Sequence, residues 1–266
     1  KKNKSIKKIC IFANKLKVMK KVLTLLLLLF ALSVYSQKAE KYFERGLAKY
    51  NLQDYNGAIK YYNKAIKINL NYIDAYNNRG LAKANLGNYN GAIIDYNKAI
   101  ELDPSDANAY YNRGLAKRSL KDYNGAIQDY NKAIELAPNL ANAYINRGVT
   151  KAILKDYQGA IEDCNKSIEL DPNYSYAYNN RGLAKANLGD YEGAIKDYTK
   201  AIELDPNYSY AYSNRSVSKE NLKDFKGAKE DYKKAIALDP DNELAKKNFE
   251  NLENRGYKKY FRKIFK

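Results

Sequence analysis

Histidine and tryptophan are absent from this chain of 266 residues, cysteine occurs twice, at Cys10 and Cys164, and methionine once, at Met19. Without histidine, the side chain that most often serves as general base or metal ligand near neutral pH is missing from every site the chain could build. Two cysteines cannot form the disulfide framework of a small exported domain. Cys164 stands at an apolar helix position, which reads as an inert core thiol rather than a nucleophile. Proline occurs only at Pro104, Pro138, Pro172, Pro206 and Pro240, at a constant spacing of 34 residues.

Acidic residues are missing from both ends. Residues 1–36 carry nine Lys and no acid, residues 255–266 carry six basic residues and no acid, and the remaining 32 basic and 30 acidic residues leave the body at +2 of the formal +17. Phosphate binding needs a clustered basic face, so the near-neutral body excludes specific nucleic-acid recognition by it.

Glycine follows the same period as proline: Gly46, Gly80, Gly114, Gly148 and Gly182, with Ser216 in the sixth place. A fixed period of this length made of two amphipathic segments specifies stacked helix hairpins, in which each unit buries its apolar face against the next. Six units fill 39–242, as 39–72, 73–106, 107–140, 141–174, 175–208 and 209–242. Small residues at unit positions 8, 20 and 27 let helices approach closely, and aromatics at 17 and 24, such as Tyr89 with Tyr96 and Tyr191 with Tyr198, fill the wedge between them. Asp54, Asn88, Asp122, Asp156, Asp190 and Asp224 are placed to cap the second helix. Proline at the close of a unit stops one helix and suits the first turn of the next.

Position 7 is arginine and position 11 lysine in all six units, from Arg45 and Lys49 to Arg215 and Lys219. Aspartate stands just before position 24, the place of the second aromatic, in five: Asp95, Asp129, Asp163, Asp197 and Asp231. Each such Arg and Asp is expected to pair between the two helices of its unit. The end units depart from the pattern, with Leu70 in a proline place, and Ser216 and Lys229 in glycine and isoleucine places.

Each unit resembles the tetratricopeptide repeat, the third through Tyr110, Gly114, Ala126, Tyr130, Ala133 and Pro138. The resemblance implies an all-α fold, a right-handed α-solenoid of antiparallel helix pairs, acting as a non-catalytic scaffold without cofactor or metal. It further implies that the first helices line a concave face that holds an extended peptide or a partner's helix, with positions 2, 5, 6, 9, 12 and 13 toward the ligand. Position 6 is Asn78, Asn112, Asn146, Asn180 and Asn214, a ladder of amides that could meet a peptide backbone or instead bond to neighbouring helices. Around it stand Asn108, Asn142, Tyr176 and Tyr210 at position 2, and Tyr111 and Asn179 at position 5. The Lys, Asn and Arg clamp of the family's chaperone-binding members is not matched at these positions.

Residues 19–36 combine a basic start, an apolar run from Val22 to Val34 and small residues at its end, the pattern of a secretory signal peptide cleaved after Ser36. Translation is expected to start at Met19, with 1–18 an upstream extension that is not structural, and the mature protein in the periplasm or elsewhere in the bacterial envelope. Residues 243–254 read as a capping helix with Leu244, Phe249 and Leu252 inward, broken by Arg255 and Gly256. Beyond it a basic amphipathic tail places Tyr257, Tyr260, Phe261, Ile264 and Phe265 on one face and Lys258, Lys259, Arg262, Lys263 and Lys266 on the other. The tail is expected to touch a membrane or partner, or else to seal the stack. The alternative to an envelope adaptor is a membrane-surface organiser held by an uncleaved signal segment or by this tail. Self-association stays open.

Overall fold

A computed structural model of the chain describes the backbone of residues 2–264 and the side chains of 17, 19–26 and 34–254. Thirteen helices and no strands are found among the described residues. They fall into two compact units, 1–104 and 105–266. The first holds α1 (Lys2–Asn51), α2 (Tyr55–Ile68), α3 (Ile73–Asn85) and α4 (Tyr89–Leu102). The second holds α5 (Ala107–Ser119), α6 (Tyr123–Leu136), α7 (Ala141–Ile153), α8 (Tyr157–Leu170), α9 (Ser175–Asn187), α10 (Tyr191–Leu204), α11 (Ser209–Asn221), α12 (Phe225–Leu238) and α13 (Glu243–Ile264). Within each unit every helix packs on the next, so the architecture is all-α, a row of helix hairpins.

The hairpin turn is the same six times over. In the second repeat the N–H of Gly87 bonds to the carbonyl of Ala84 and that of Asn88 to the carbonyl of Lys83, which closes the first helix in a Schellman motif. Asn88 then caps the second helix, its Oδ1 accepting from the Gly91 N–H at 2.9 Å. Asp54, Asp122, Asp156, Asp190 and Asp224 cap their helices in the same way. Such a cap is worth about 1 kcal/mol. The residue between the two caps sits at positive φ in every repeat. It is Gly87 and Gly189 in two, but Gln53, Lys121, Lys155 and Lys223 in the others, at φ 58–65°.

Packing follows the small residues. Ala58, Ala92, Ala126, Ala160, Ala194 and Ala228 at position 20 are buried, and so are Tyr62, Tyr96, Tyr130, Tyr198 and Tyr232 at position 24. Glycine at position 8 makes room for that tyrosine: a methyl group on Gly114 would stand 2.7 Å from Cε1 of Tyr130, and one on Gly182 would stand 2.8 Å from Cε1 of Tyr198. Position 17 contributes less than the sequence suggests. Its tyrosines are half-buried and Phe225 is exposed, because this residue opens the second helix at the rim of the hairpin.

The prolines do not open the first helices. Each lies in the turn between units, after a C-cap such as Asp171 or Asp205 held extended, as a residue before proline must be. Asp171, Asp205 and Asp239 turn the chain by accepting from the backbone N–H two residues on. Among α3, α5, α7, α9 and α11, only α5 has a side-chain cap, Asp106; Tyr72, Leu140, Tyr174 and Tyr208 occupy the same place without one.

At the ends, α1 continues without a break from Lys2 into the first repeat, through residues 19–36. The side chains of 27–33, in the middle of the apolar run, lie outside the described residues, and among those described no helix is long and apolar enough to cross a membrane. Helix α13 passes through Arg255 and Gly256 rather than stopping there, since glycine weakens a helix interior by about 1 kcal/mol but ends a helix only when the chain turns away after it. Ala245 and Leu252 form its buried seam against Tyr232, with Phe249 beside them, whereas Leu244 is 66% exposed. The tail side chains Tyr257, Lys258, Lys259, Tyr260, Phe261, Arg262, Lys263 and Phe265 lie outside the described residues.

Candidate functional site

One side of the first helices α3, α5, α7, α9 and α11 is closed by ion pairs. Arg79, Arg113, Arg147, Arg181 and Arg215 each grip one aspartate with two parallel bonds, Nη2 at 2.5–2.7 Å and Nε at 2.8–2.9 Å, to Asp95, Asp129, Asp163, Asp197 and Asp231. The expected Arg–Asp pairing is thus present in all five repeats that carry it. Lysine at position 11 joins the same carboxylate at 2.8–3.0 Å, which the sequence reading missed. The guanidinium also lies 5.2–5.6 Å from the ring of the tyrosine three residues before it. Its Nη1 reaches back one repeat, to Asn63, Asn131 and Asn165 at 2.6–2.8 Å and to Thr199 at 2.9 Å. A bidentate pair with further hydrogen bonds to the guanidinium is the geometry that makes a buried charge tolerable. These residues hold the stack and do not face a ligand.

The other side of the first helices is open. In the second unit Asn108 and Asn142 are exposed, as are Tyr176 at 37% and Tyr210 at 61%, together with Ile153, Leu183 and Val217. Position 5 turns inward instead: Ile145, Asn179 and Ser213 are buried and Tyr111 is half-buried. Asn179 is therefore an interhelix contact turned away from solvent, whereas Tyr111 makes an interhelix contact and keeps part of its surface exposed. Asn179 Oδ1 accepts from Asn214 Nδ2 at 3.0 Å, and Tyr111 Oη accepts from Asn146 Nδ2 at 3.0 Å. Burial pushes the Tyr111 phenol above its ordinary pKa.

The asparagine ladder bonds within its own helices and to neighbouring ones. Asn78, Asn146 and Asn180 each donate to the backbone carbonyl four residues earlier, of Asp74, Asn142 and Tyr176, at 2.7–2.8 Å. Asn146 Oδ1 also accepts from Arg118 Nη1 of the preceding repeat at 2.8 Å. Asn112 is half-buried like its counterparts. A half-buried amide takes the nearest acceptor, so the ladder's donors are spent largely on the protein itself. The side chains left exposed beside it are tyrosines and aliphatic residues.

Nothing on this face points to chemistry. Burial pushes the Cys164 thiol up to about 12, so it stays protonated, and no cluster of metal-ligating side chains occurs among the described residues.

The tetratricopeptide repeat models match 107–140, 141–174, 175–208 and 209–242, and the TPR repeat model matches 46–87 and 83–119. The chain is a tetratricopeptide-repeat protein. Among solved structures, these repeats are similar to MamA, with 30% identity over 64% of this chain and 93% of that one at a TM-score of 0.58. They are also similar to YrrB, described as a TPR protein with an unusual peptide-binding site, with 27% identity over 69% and 95% at a TM-score of 0.57. PilF of Pseudomonas aeruginosa, at 19% identity over 82% and 98% and a TM-score of 0.71, shares the fold. No curated protein matches. Tetratricopeptide repeats bind peptides or proteins, and this chain is a protein–protein interaction scaffold on that ground.

Proposed function

We propose that the chain is a non-catalytic adaptor of the bacterial cell envelope that holds a peptide or protein segment against the exposed face of its first helices. One observation carries this reading. In α9 and α11 the arginine and lysine of one side are held by the ion triads, while the other side presents Tyr176, Tyr210, Leu183 and Val217 to solvent. Tyrosines beside aliphatic and amide groups give large contact area at low entropic cost. The peptide-binding site named for YrrB makes a peptide the natural class of ligand here too. The envelope location rests on the apolar run after Lys20 and Lys21.

The test is capture from an envelope extract with the full chain, beside a variant carrying Tyr176→Ala, Tyr210→Ala and Val217→Ser, followed by titration of the captured protein against both. The expected result is one partner whose affinity falls at least tenfold in the variant at unchanged helicity. A partner bound equally by both moves the site off this face.

A further inference from the structure

The turns into α9 and α11 carry the same six residues, Asn173 to Tyr178 and Asn207 to Tyr212, and no other first helix is entered through tyrosine, serine and a second tyrosine. The two helices touch directly, since Asn214 Nδ2 donates to Asn179 Oδ1 at 3.0 Å. Tyr176 and Tyr210 stand exposed on them at the same register, position 2, while Tyr174 and Tyr208 are half-buried at the N-cap places. The ring centroids of Tyr174 and Tyr176 lie 6.0 Å apart with their planes tilted by 40°. Burial, and after it the closeness of Tyr176, Asp205, Tyr174 and Tyr210, pushes the Tyr208 phenol above its ordinary pKa. The four rings thus form one strip that crosses from α9 to α11.

The strip is neutral. At positions 2, 6, 9, 12 and 13 of α7, α9 and α11 the only charged residue is Glu220, which accepts from Tyr232 Oη at 3.3 Å. Asp171 and Asp205, next to Tyr174 and Tyr208, accept the backbone N–H of Asn173 and Asn207 at 3.0 Å. A charged segment laid here would lose hydration without gaining a counter-charge, so the face selects a neutral one. It selects a backbone form as well. An added strand needs an open sheet edge, and this face is helical. A helical ligand keeps its carbonyls in its own hydrogen bonds and offers none to the phenols. A polyproline II segment leaves its carbonyls free and repeats every three residues, about 9.3 Å at about 3.1 Å per residue. Axes of packed helices lie about 8–10 Å apart. Each turn of such a segment therefore meets the next tyrosine of the row, and proline against aromatic rings is how this conformation is held in a groove.

We propose that the tyrosine strip of α9 and α11 binds an uncharged, proline-rich segment of the partner in the polyproline II conformation, one turn on Tyr176 and the next on Tyr210. The proposal rests on the reading of the first-helix face as the binding face and names the class of peptide that face takes. Tilted rings suit the ridges of such a segment, whereas a sugar would need a flat ring platform.

The probe is decaproline with acetyl and amide ends, titrated calorimetrically into the full chain. The native chain is expected to bind one equivalent saturably, and the variant carrying Tyr176→Ala and Tyr210→Ala to bind at least tenfold more weakly at unchanged helicity. A decapeptide of alternating glycine and serine, equally neutral but flexible, is expected to bind the native chain at least tenfold more weakly than decaproline. No saturable binding of decaproline, equal binding by the variant, or equal binding of the glycine–serine peptide overturns the proposal. So does saturable binding of N-acetylchitotetraose in place of decaproline, which would make the strip a glycan site. The face itself is tested apart from this, by capture with the variant at Tyr176, Tyr210 and Val217. A partner lost with that variant while decaproline fails to bind the native chain sinks the polyproline reading alone.

Discussion

In the first repeat Tyr61 stands where the other five carry Asp95, Asp129, Asp163, Asp197 and Asp231, and this one exchange redirects the basic residues opposite. Arg45 stays exposed, Lys49 turns to Asp54 at 2.9 Å, and Lys64 lies 5.2 and 5.5 Å from the rings of Tyr61 and Tyr42. In the later repeats the same arginine and lysine are drawn inward onto a buried carboxylate. An arginine is buried here only where an acid waits for it, because removing a charge from water costs more than packing returns. The two kinds of repeat therefore share a fold but not a glue.

The sharpest way to break this contrast is to remove the acid. Asp197→Ala leaves Arg181 and Lys185 facing each other without a counter-charge and is expected to cost about 3 kcal/mol, read from the urea midpoint. Arg45→Ala in the first repeat is expected to change it by less than about 0.5 kcal/mol. Equal losses would end the distinction.

Alkaline titration compares the same repeats through their tyrosines. Burial pushes the Tyr62 phenol up to about 12, and those of Tyr96, Tyr130 and Tyr198 higher still. Unfolded tyrosine releases its proton near pH 10, so above that value the folded chain holds more protons than the unfolded one. Stability is then whole below about pH 10 and falls as pH rises toward the folded values, by roughly 1.4 kcal/mol per pH unit for each fully buried ring. Absorbance of phenolate should show Tyr62 ionising before the other three. A stability that stays flat to pH 12 would remove burial as the cause.

Smaller effects test whether two departures from the common repeat are costs. Cys164→Tyr restores the ring of the sister repeats and is expected to add about 1 kcal/mol, seen as a higher melting temperature. Lys121→Gly places glycine at φ 64°, where Gly87 and Gly189 already serve. It should gain up to about 1 kcal/mol, whereas Gly189→Lys should lose a similar amount.

Much of this was legible from spacing alone. Gly114 against Tyr130, Asp190 capping α10 and Arg147 pairing with Asp163 all follow from residue types whose job is local or fixed within one hairpin. The binding face was read less well. Position 5 alternates among asparagine, tyrosine, isoleucine and serine, so no hydrophobic pattern betrays that the adjoining first helix buries it. At α13 the seam falls on Ala245 and not Leu244, one residue round the helix, because the partner surface at Ala228 and Tyr232 accepts a small side chain there. Gly256 looked like a stop only because the backbone path beyond it cannot be read from residue type. The third partner of each ion triad, lysine, lacked any signal apart from its recurrence.

Arg79, Arg147, Arg181 and Arg215 also hold a bond to the repeat before them, and that bond asks very little of its neighbour. An amide serves at Asn63, Asn131 and Asn165, and a hydroxyl serves at Thr199. The joint is thus generic, like a coupling between identical carriages. Excising 141–174 would bring Arg181 to Asn131, an acceptor of the same kind as the Asn165 it gave up, so a gene of this design can lengthen or shorten by whole repeats without having to invent a new interface.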